Sequence, residues 1–249
     1  MNGTVHLVGA GPGAADLLTL RAARLLGEAD VVFHDALVSP EILKMVRRGK
    51  TIPVGKRSGR LSTAQQFINK QLLDAARRYT TVVRLKGGDP MLFGRAHEEI
   101  EFLLRHGVAV EVVPGVTAAL AASADLRTSL TRRGVSRSVT FVTPRLAEGS
   151  RASSWVPAVM AADTAAIYMG AGEGAAIAAA LLEAGRPPST PIAVVESAST
   201  AETVITYGTL QGLPGVKSAG GPVLILLGEV YAEAVEAAGR LARSKSQAA

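Results

Sequence analysis

The chain has 249 residues, of which 48% are apolar and only 4% aromatic, with no cysteine and a formal net charge of +6. This apolar content can offset the ordering entropy of folding, so global disorder is excluded. Without cysteine, a disulfide scaffold, a thiol nucleophile and thiolate metal sites are excluded as well. The first residues lack the basic region of a secretory signal, and no run of about 18 uncharged apolar residues could span a membrane. These features predict a cytoplasmic globular protein of one large or two small domains.

The positive charge is concentrated in two segments. Seven basic residues and no acidic residue lie between Lys44 and Arg60, and six basic residues with a single acid, Glu148, lie between Arg127 and Arg151. Such segments are either solvated loops or part of a site for a polyanion. The low aromatic content argues against a nucleic-acid surface on which bases would stack.

The first half of the chain alternates short β-branched segments with segments of helical apolar spacing. The predicted strands are residues 5–8, 31–34, 51–54, 81–85 and 109–113, and the predicted helices are residues 16–27, 62–78 and 95–106. Asp16 is expected to cap the first helix. This strand–helix–strand repetition predicts a mostly parallel sheet with helices on both faces. The strands are apolar almost throughout, which fits burial on both sides.

The second half of the chain has a different pattern. Its predicted strands are residues 138–143, 165–168, 192–196, 203–207 and 223–227, with one clear helix at 173–184. A short polar turn between the third and fourth of these strands favours an antiparallel hairpin, so a mixed sheet is expected. A small-residue stretch at 117–124 predicts a helix at a domain junction. The predicted organisation is an α/β domain at 1–117, a second α/β domain at 118–242 and a disordered tail at 243–249.

Three glycine-rich turns, at residues 9–13, 86–90 and 114–117, follow predicted strands of the first half. In an open α/β sheet the carboxyl ends of the strands form the ligand-binding edge. The first turn does not match the dinucleotide pattern, because Ala14 stands where the third glycine would be and Pro12 removes a backbone donor. Taken alone, that turn could be purely structural. Three turns with little side-chain bulk instead favour one concave site in which a small molecule contacts the backbone.

At this point the motifs resemble those of a known family. The segments that carry the resemblance are 8–13 (VGAGPG), 35–39 (DALVS), 54–57 (VGKR), 83–90 (VRLKGGDP), 93–95 (FGR), 113–118 (VPGVTA), 168–170 (YMG) and 223–230 (VLILLGEV). In this order and spacing they resemble the tetrapyrrole methylases over about residues 4 to 232. Departures from the family pattern occur at Ala96-His97, at 132–134 and at Pro144-Arg145, mostly where the resemblance places the tetrapyrrole.

The resemblance implies two α/β domains with the active site in the cleft between them, in a homodimer. It implies S-adenosylmethionine as methyl donor and no metal. The expected acceptor is uroporphyrinogen III, methylated at C2 and C7 to give precorrin-2 for siroheme and cobalamin biosynthesis. A later precorrin as acceptor stays open, as does an RNA-associated methylase of the same fold. A non-catalytic dinucleotide-binding module is disfavoured by Pro12 and Ala14. No nucleic acid and no membrane are expected as partners.

The resemblance also implies roles for single residues. Asp35 matches the proposed proton acceptor and Lys56 the proposed proton donor. Arg95, Glu98 and Arg133 match positions linked to the tetrapyrrole. The positions that match those holding the methyl donor are Pro12, Gly87, Gly88, Asp89, Leu92, Thr117, Ala118, Met169 and Ala198.

The chemistry of these side chains is compatible with the implied roles and also with plainer ones. Asp35 could stabilise a cationic pyrrole ring or accept its proton, or could cap a helix before Pro40. Arg95 and Arg133 could bind substrate carboxylates in a bidentate manner, or could be ordinary surface charges. Lys56 could be a solvated lysine, Met169 a core residue, and Glu98 the partner of a neighbour on its helix.

Overall fold

The structure is a computed structural model that describes residues 2–54, 61–145 and 155–247. The chain divides into two compact units, Met1–Ala118 and Ala119–Ala249. In the described part of the chain, no helix is both long and apolar enough to cross a bilayer.

A parallel sheet forms the centre of the first unit. Its strands are β1 (Thr4–Gly9), β2 (Val31–His34), β3 (Lys50–Pro53), β4 (Thr81–Lys86) and β5 (Ala109–Val113). They pair in the order β3-β2-β4-β1-β5, and every pairing is parallel. The predicted parallel α/β sheet is therefore confirmed.

Helices cover both faces of this sheet. They are α1 (Leu20–Glu28), α2 (Pro40–Leu43), α3 (Leu61–Ala76) and α4 (Ala96–Arg105). Neighbouring residues of β1 point to opposite faces, as the alternation of a strand requires. Leu7 packs in a cluster with Leu72 and Leu103 of α3 and α4, whereas Val8 packs with Leu26 of α1 in a second cluster.

The first helix begins later than the sequence predicts. Residues Ala15–Leu17 form a 3-10 turn, and the next two residues are extended, so Asp16 does not cap the α-helix. Thr19 caps it instead, because its hydroxyl accepts a hydrogen bond from the Ala22 N–H at 3.1 Å. The proposed cap role of Asp35 is also wrong, because Ser39 caps α2 through the Ile42 N–H.

The second unit is built on a mixed sheet, as predicted. Its elements are α5 (Ala118–Asp125, which starts at the last residue of the first unit), β6 (Val139–Val142), α6 (Trp155–Ala161), β7 (Thr164–Ile167), α7 (Gly174–Glu183), β8 (Pro191–Glu196), β9 (Val204–Thr209), β10 (Val223–Gly228) and α8 (Ala232–Gln247). The strand order is β6-β7-β10-β8-β9. Only β6 and β7 pair in parallel, and β8 with β9 forms the expected antiparallel hairpin.

The helix α8 includes residues 243–247, which the sequence predicts to be a disordered tail. The composition of the whole helix explains the difference, since alanine, glutamate, arginine and lysine are strong helix formers and make up most of α8. Polar and small residues near a chain end are typical of a frayed tail. Here they continue α8, a helix that the sequence pattern did not predict.

The three glycine-rich turns of the first unit meet at the carboxyl edge of its sheet. Gly88 N–H donates to the Gly11 carbonyl at 2.7 Å, and Gly11 N–H donates to the Gly88 carbonyl at 3.2 Å. A Cβ atom on Gly115 would overlap the Gly88 carbonyl oxygen, and one on Gly9 would lie 2.6 Å from the Gly115 Cα. The turns are therefore in backbone-to-backbone contact, which only glycine permits at these positions.

We expect Gly115→Ala to lower the thermal midpoint by roughly 2–12 °C. Overpacking costs about 1–3 kcal/mol, and about 1 kcal/mol corresponds to roughly 2–4 °C in a protein of this size. Gly208→Ala is the matched control, because a Cβ on this glycine of β9 meets no atom within 4 Å. Calorimetric unfolding of both variants checks the prediction, and equal midpoints would contradict it.

Candidate functional site

The carboxyl edge of the first sheet presents an open backbone surface at Gly88. This residue has a φ of +67°, and a Cβ placed on it would meet no heavy atom within 4 Å. The two carboxylate oxygens of Asp89 accept hydrogen bonds from the Gly115 N–H at 2.9 Å and from the Met91 N–H at 2.8 Å. Asp89 thus joins the second turn to the third, and its carboxylate is engaged in holding backbone.

The predicted donor-binding residues of this unit share that edge. Pro12 directly follows the Gly11–Gly88 bridge, and Leu92 N–H donates to the Asp89 carbonyl at 3.3 Å. A Cβ on Gly87 would lie 3.2 Å from the Leu37 side chain, so this glycine faces a neighbouring turn rather than open space. The structure thus brings together the residues of the first and second turns, whose roles stay predictions.

Asp35 lies just past the end of β2, beside the same edge. Its backbone N–H donates to the Leu85 carbonyl at 3.2 Å, and its carboxylate accepts a hydrogen bond from Arg84 Nη2 at 2.5 Å. The Asp35 side chain is 30% exposed, whereas the Arg84 side chain is 3% exposed. A buried guanidinium therefore holds a carboxylate that solvent can reach.

Behind Asp35 lies a buried charge network. The Glu99 side chain is fully buried and accepts hydrogen bonds from Arg84 Nε at 3.2 Å and from Lys86 Nζ at 3.1 Å. Gln65 Nε2 donates to the same Glu99 oxygen at 3.1 Å and also to Asn69 Oδ1 at 3.0 Å. Two cations face two carboxylates, so the charges are paired, as burial requires.

The pKa values of the two cations shift in opposite directions. Burial disfavours the charge of Arg84, but the nearby Asp35 and Glu99 carboxylates outweigh it and raise its pKa above the ordinary value. Burial, followed by repulsion from Arg84, lowers the pKa of the Lys86 ammonium, and Glu99 offsets this only in part. Glu99 therefore favours the charged form of Lys86 against burial and against the neighbouring Arg84.

Sequence reasoning missed this network. The signal was present in β4, where Arg84 and Lys86 occupy alternate positions of an otherwise apolar strand. Alternate residues share one face of a strand, and two cations on a buried face need buried anions. Glu98 was singled out on α4, but its neighbour Glu99 is the one that faces the sheet.

Arg95 and Glu98 form an ion pair at the surface. Arg95 Nη2 lies 2.6 Å from Glu98 Oε2, and the two side chains are 41% and 48% exposed. The hydrogen bond between them raises the pKa of Arg95 and lowers the pKa of Glu98. Arg95 has a φ of +55° and Phe93 a φ of +51°, so the turn before α4 holds two side chains in the left-handed region, a costly conformation common at functional sites.

Strained residues also mark the second unit, at the positions predicted to hold the donor. Met169 has a φ of +58°, and Ala198 stands between Ser197 at +53° and Ser199 at +60°. The Gly170 N–H donates to the Val223 carbonyl, and the Ser197 N–H donates to the Pro222 carbonyl. These bonds place both turns at one edge of the second sheet, on either side of the start of β10.

The Glu196 carboxylate fixes the segment next to the Ala198 turn. It accepts hydrogen bonds from the Ala219 N–H at 2.9 Å, the Gly221 N–H at 2.5 Å and the Ser218 hydroxyl at 3.1 Å. Burial acts to raise the pKa of Glu196, but these donors outweigh it and hold the pKa below its usual value. A cavity of about 350 Å³ adjoins this carboxylate.

Thr117 ends the third glycine-rich turn, and the remaining predicted site residues lie outside the three turns. Thr117 directly precedes α5, and Ala118 is the first residue of that helix. The next residue, Ala119, belongs to the second unit, where its N–H donates to the Tyr168 hydroxyl at 3.1 Å. Arg133 is exposed on the loop before β6. Lys56 lies outside the described residues, so its predicted role stays a prediction.

The exposed basic residues that precede β3 do not lie at the glycine edge. Lys44, Arg47 and Arg48 are exposed and precede β3. Because β3 is parallel to the other strands, these cations lie at the amino edge of the sheet, opposite the turns. The rest of that segment, at 55–60, is not described. Across residues 2–54, 61–145 and 155–247, no group of three or more His, Asp or Glu residues could hold a metal ion.

Comparisons with known proteins agree with this architecture. The family model for Tetrapyrrole (Corrin/Porphyrin) Methylases matches residues 4–214. A crystal structure of uroporphyrin-III C-methyl transferase from Thermus thermophilus, complexed with S-adenyl homocysteine, is 44% identical with a TM-score of 0.81 and covers 92% of this chain and 98% of its own. The structure of a cobalt precorrin-4 methyltransferase is 26% identical with a TM-score of 0.77, covering 91% and 95%.

Two siroheme synthases are also similar. That of Chromobacterium violaceum is 47% identical and that of Pseudomonas putida strain F1 is 46% identical, each over 232 residues or 92% of this chain. The chain spans about half the length of these relatives, 49% and 50% respectively. With a family match over most of its length and the same two-sheet fold as its structural neighbours, the chain belongs to the tetrapyrrole methylase family.

Proposed function

We propose that the protein transfers methyl groups from S-adenosylmethionine to C2 and C7 of uroporphyrinogen III, giving precorrin-2 for siroheme or cobalamin biosynthesis. The observation that carries this proposal is the backbone surface at Gly88 with the partly exposed carboxylate of Asp35 nearby. The similarity to the Thermus thermophilus enzyme in complex with S-adenyl homocysteine supports the choice of donor, and its name supports the choice of acceptor.

The proposed donor site combines backbone and small side chains. S-adenosylmethionine would supply an electrophilic methyl group, so the protein has mainly to hold donor and acceptor in line. We assign donor contacts to Pro12, Gly87, Gly88, Asp89, Leu92, Thr117, Ala118, Met169 and Ala198. The open space above Gly88 fits this assignment, because a ligand can approach the backbone there without meeting a side chain.

Asp35 is proposed to act on the positive charge that the reaction creates. When the new carbon–carbon bond forms, the carbon–sulfur bond of the donor breaks and the pyrrole ring becomes cationic. A carboxylate held in place can stabilise that cation and accept the proton that the ring later loses. Arg84 keeps this carboxylate in one position, which is the preorganisation that such stabilisation needs.

The acceptor is a polycarboxylate, and arginines are its natural partners. We assign Arg95 and Arg133 to its carboxylates, Glu98 to the positioning of Arg95, and Lys56 to proton donation. Because Arg95 is bonded to Glu98 at 2.6 Å, a substrate carboxylate would have to share or replace that partner. We further propose that the protein acts as a homodimer.

The proposal is tested by incubating the protein with uroporphyrinogen III and isotope-labelled S-adenosylmethionine. Mass spectrometry should detect a product with two added methyl groups, and NMR should place them at C2 and C7. Methylation of a later precorrin instead would show that uroporphyrinogen III is not the acceptor. Labelling of RNA, or no labelling at all, would overturn the assignment.

We expect Asp35→Asn to lower kcat by about 100-fold or more, the range that a positioned acid–base group supplies. The variant should keep its fold, because an amide oxygen can still accept from Arg84 and Glu99 still pairs with that guanidinium. Calorimetric affinity for S-adenosylhomocysteine should change less than about 3-fold. Asp74→Asn, an exposed carboxylate on α3, is the control, and a wild-type kcat in Asp35→Asn would remove Asp35 from the mechanism.

We expect Gly88→Leu to weaken the binding of S-adenosylhomocysteine by about 100-fold or more, because the side chain fills the approach to the backbone. Gly107→Leu is matched for strain: its φ is +69° against +67° for Gly88, and a Cβ meets no atom within 4 Å at either position. Leucine in the left-handed region therefore destabilises both variants by a similar amount, about 1–2 kcal/mol of folding free energy. Equal affinities of the two variants in calorimetry would place the donor elsewhere.

A further inference from the structure

Glu99 is the central anion of the buried network and has no direct access to solvent. Its side chain is 0% exposed, and one of its oxygens accepts from Arg84, Lys86 and Gln65 while the other accepts from Lys86. Glu99 lies on α4, whereas Arg84 and Lys86 lie on β4. Its contacts therefore join the helix to the strand directly behind Asp35.

All three nitrogens of the Arg84 guanidinium are engaged. Nε donates to Glu99 at 3.2 Å, Nη1 donates to the Leu85 carbonyl at 3.1 Å, and Nη2 donates to Asp35 at 2.5 Å. The guanidinium is planar and its donors have fixed directions. The bonds at Nε and Nη1 together therefore set where Nη2 points, and with it where the Asp35 carboxylate is held; of these two bonds, the one at Nε is made to a side chain, that of Glu99.

We propose that Glu99 is a positioning residue for methyl transfer, which orients Arg84 so that Arg84 fixes the carboxylate of Asp35. This inference rests on the proposed function of the same site. It adds a residue that neither donor nor acceptor has to touch, since Glu99 is enclosed and Asp35 is the one member of the four ionised groups that solvent reaches appreciably.

The competing explanation is that Glu99 only balances charge. The Lys86 ammonium donates to both oxygens of Glu99, at 3.1 Å each, and not to Asp35, so Lys86 and Glu99 form a pair that can be removed together. The remaining pair, Arg84 with Asp35, stays balanced. The double variant Lys86→Met with Glu99→Met therefore separates orientation from charge balance, because it keeps the remaining charges balanced but offers Nε no carboxylate or amide oxygen as acceptor.

The test compares Glu99→Met, the double variant and Glu101→Met. Glu101 is an exposed carboxylate on the same helix, so Glu101→Met should behave as wild type. We expect kcat to fall about 10-fold or more in both Glu99 variants, within the range for a catalytic group displaced from its productive geometry. Affinity for S-adenosylhomocysteine should stay within about 3-fold of wild type, since the side-chain hydrogen bonds of Arg84 and Lys86 go to Asp35, Leu85 and Glu99 and not to Gly88. If Glu99→Met fails to fold, the balanced double variant carries the test.

Crystal structures of the wild type and of the double variant complete the experiment. Loss of the contact between Arg84 Nη2 and Asp35 Oδ1, together with the fall in kcat, supports the positioning role. A double variant with wild-type kcat, or with that contact unchanged, overturns it. Should the wild-type protein fail to methylate uroporphyrinogen III, the proposed function is wrong, and the crystallographic contact alone then decides whether Glu99 positions Asp35.

Discussion

The first unit depends on the absence of side chains where its turns meet. Gly9, Gly88 and Gly115 stand so close that a methyl group on Gly9 or Gly115 would overlap the backbone of a neighbouring turn. The contact allows the Gly11–Gly88 bridge to form and brings Gly115 within reach of Asp89. Three loops thereby become one backbone surface, which can contact a ligand without a change in loop conformation.

The buried charges add a fixed carboxylate beside this backbone surface. Arg84, Lys86 and Glu99 are enclosed, so Asp35 is the member of the network that solvent reaches appreciably. The proposed methyl transfer from a sulfonium would move positive charge from donor to acceptor, and a carboxylate held in place suits such a reaction. The exposed cations before β3 lie at the other edge of the sheet, so among the described residues the cation that contacts Asp35 is Arg84.

Much of the site could be predicted from local patterns, and the rest could not for a physical reason. Glycine turns after apolar strands predict that the turns meet at the carboxyl edge of the sheet, the candidate ligand-binding edge, because strand direction follows from the β–α–β order. The partner of a buried charge does not follow from such patterns. Arg84 is 49 positions from Asp35 and 15 from Glu99, and only the packing of α4 on β4 selects Glu99 over the adjacent Glu98.

The sequence by itself determined the strand and helix periodicity, the parallel first sheet, the mixed second sheet and the three turns, because each arises from neighbours along the chain. The structure showed that Thr19 rather than Asp16 caps the first helix, and tertiary packing decided that Arg84 pairs with Asp35 and Glu99. It also decided which charges are buried. Burial depends on what packs against a residue from distant parts of the chain, and the free energy of a charge depends on burial more than on its sequence neighbours.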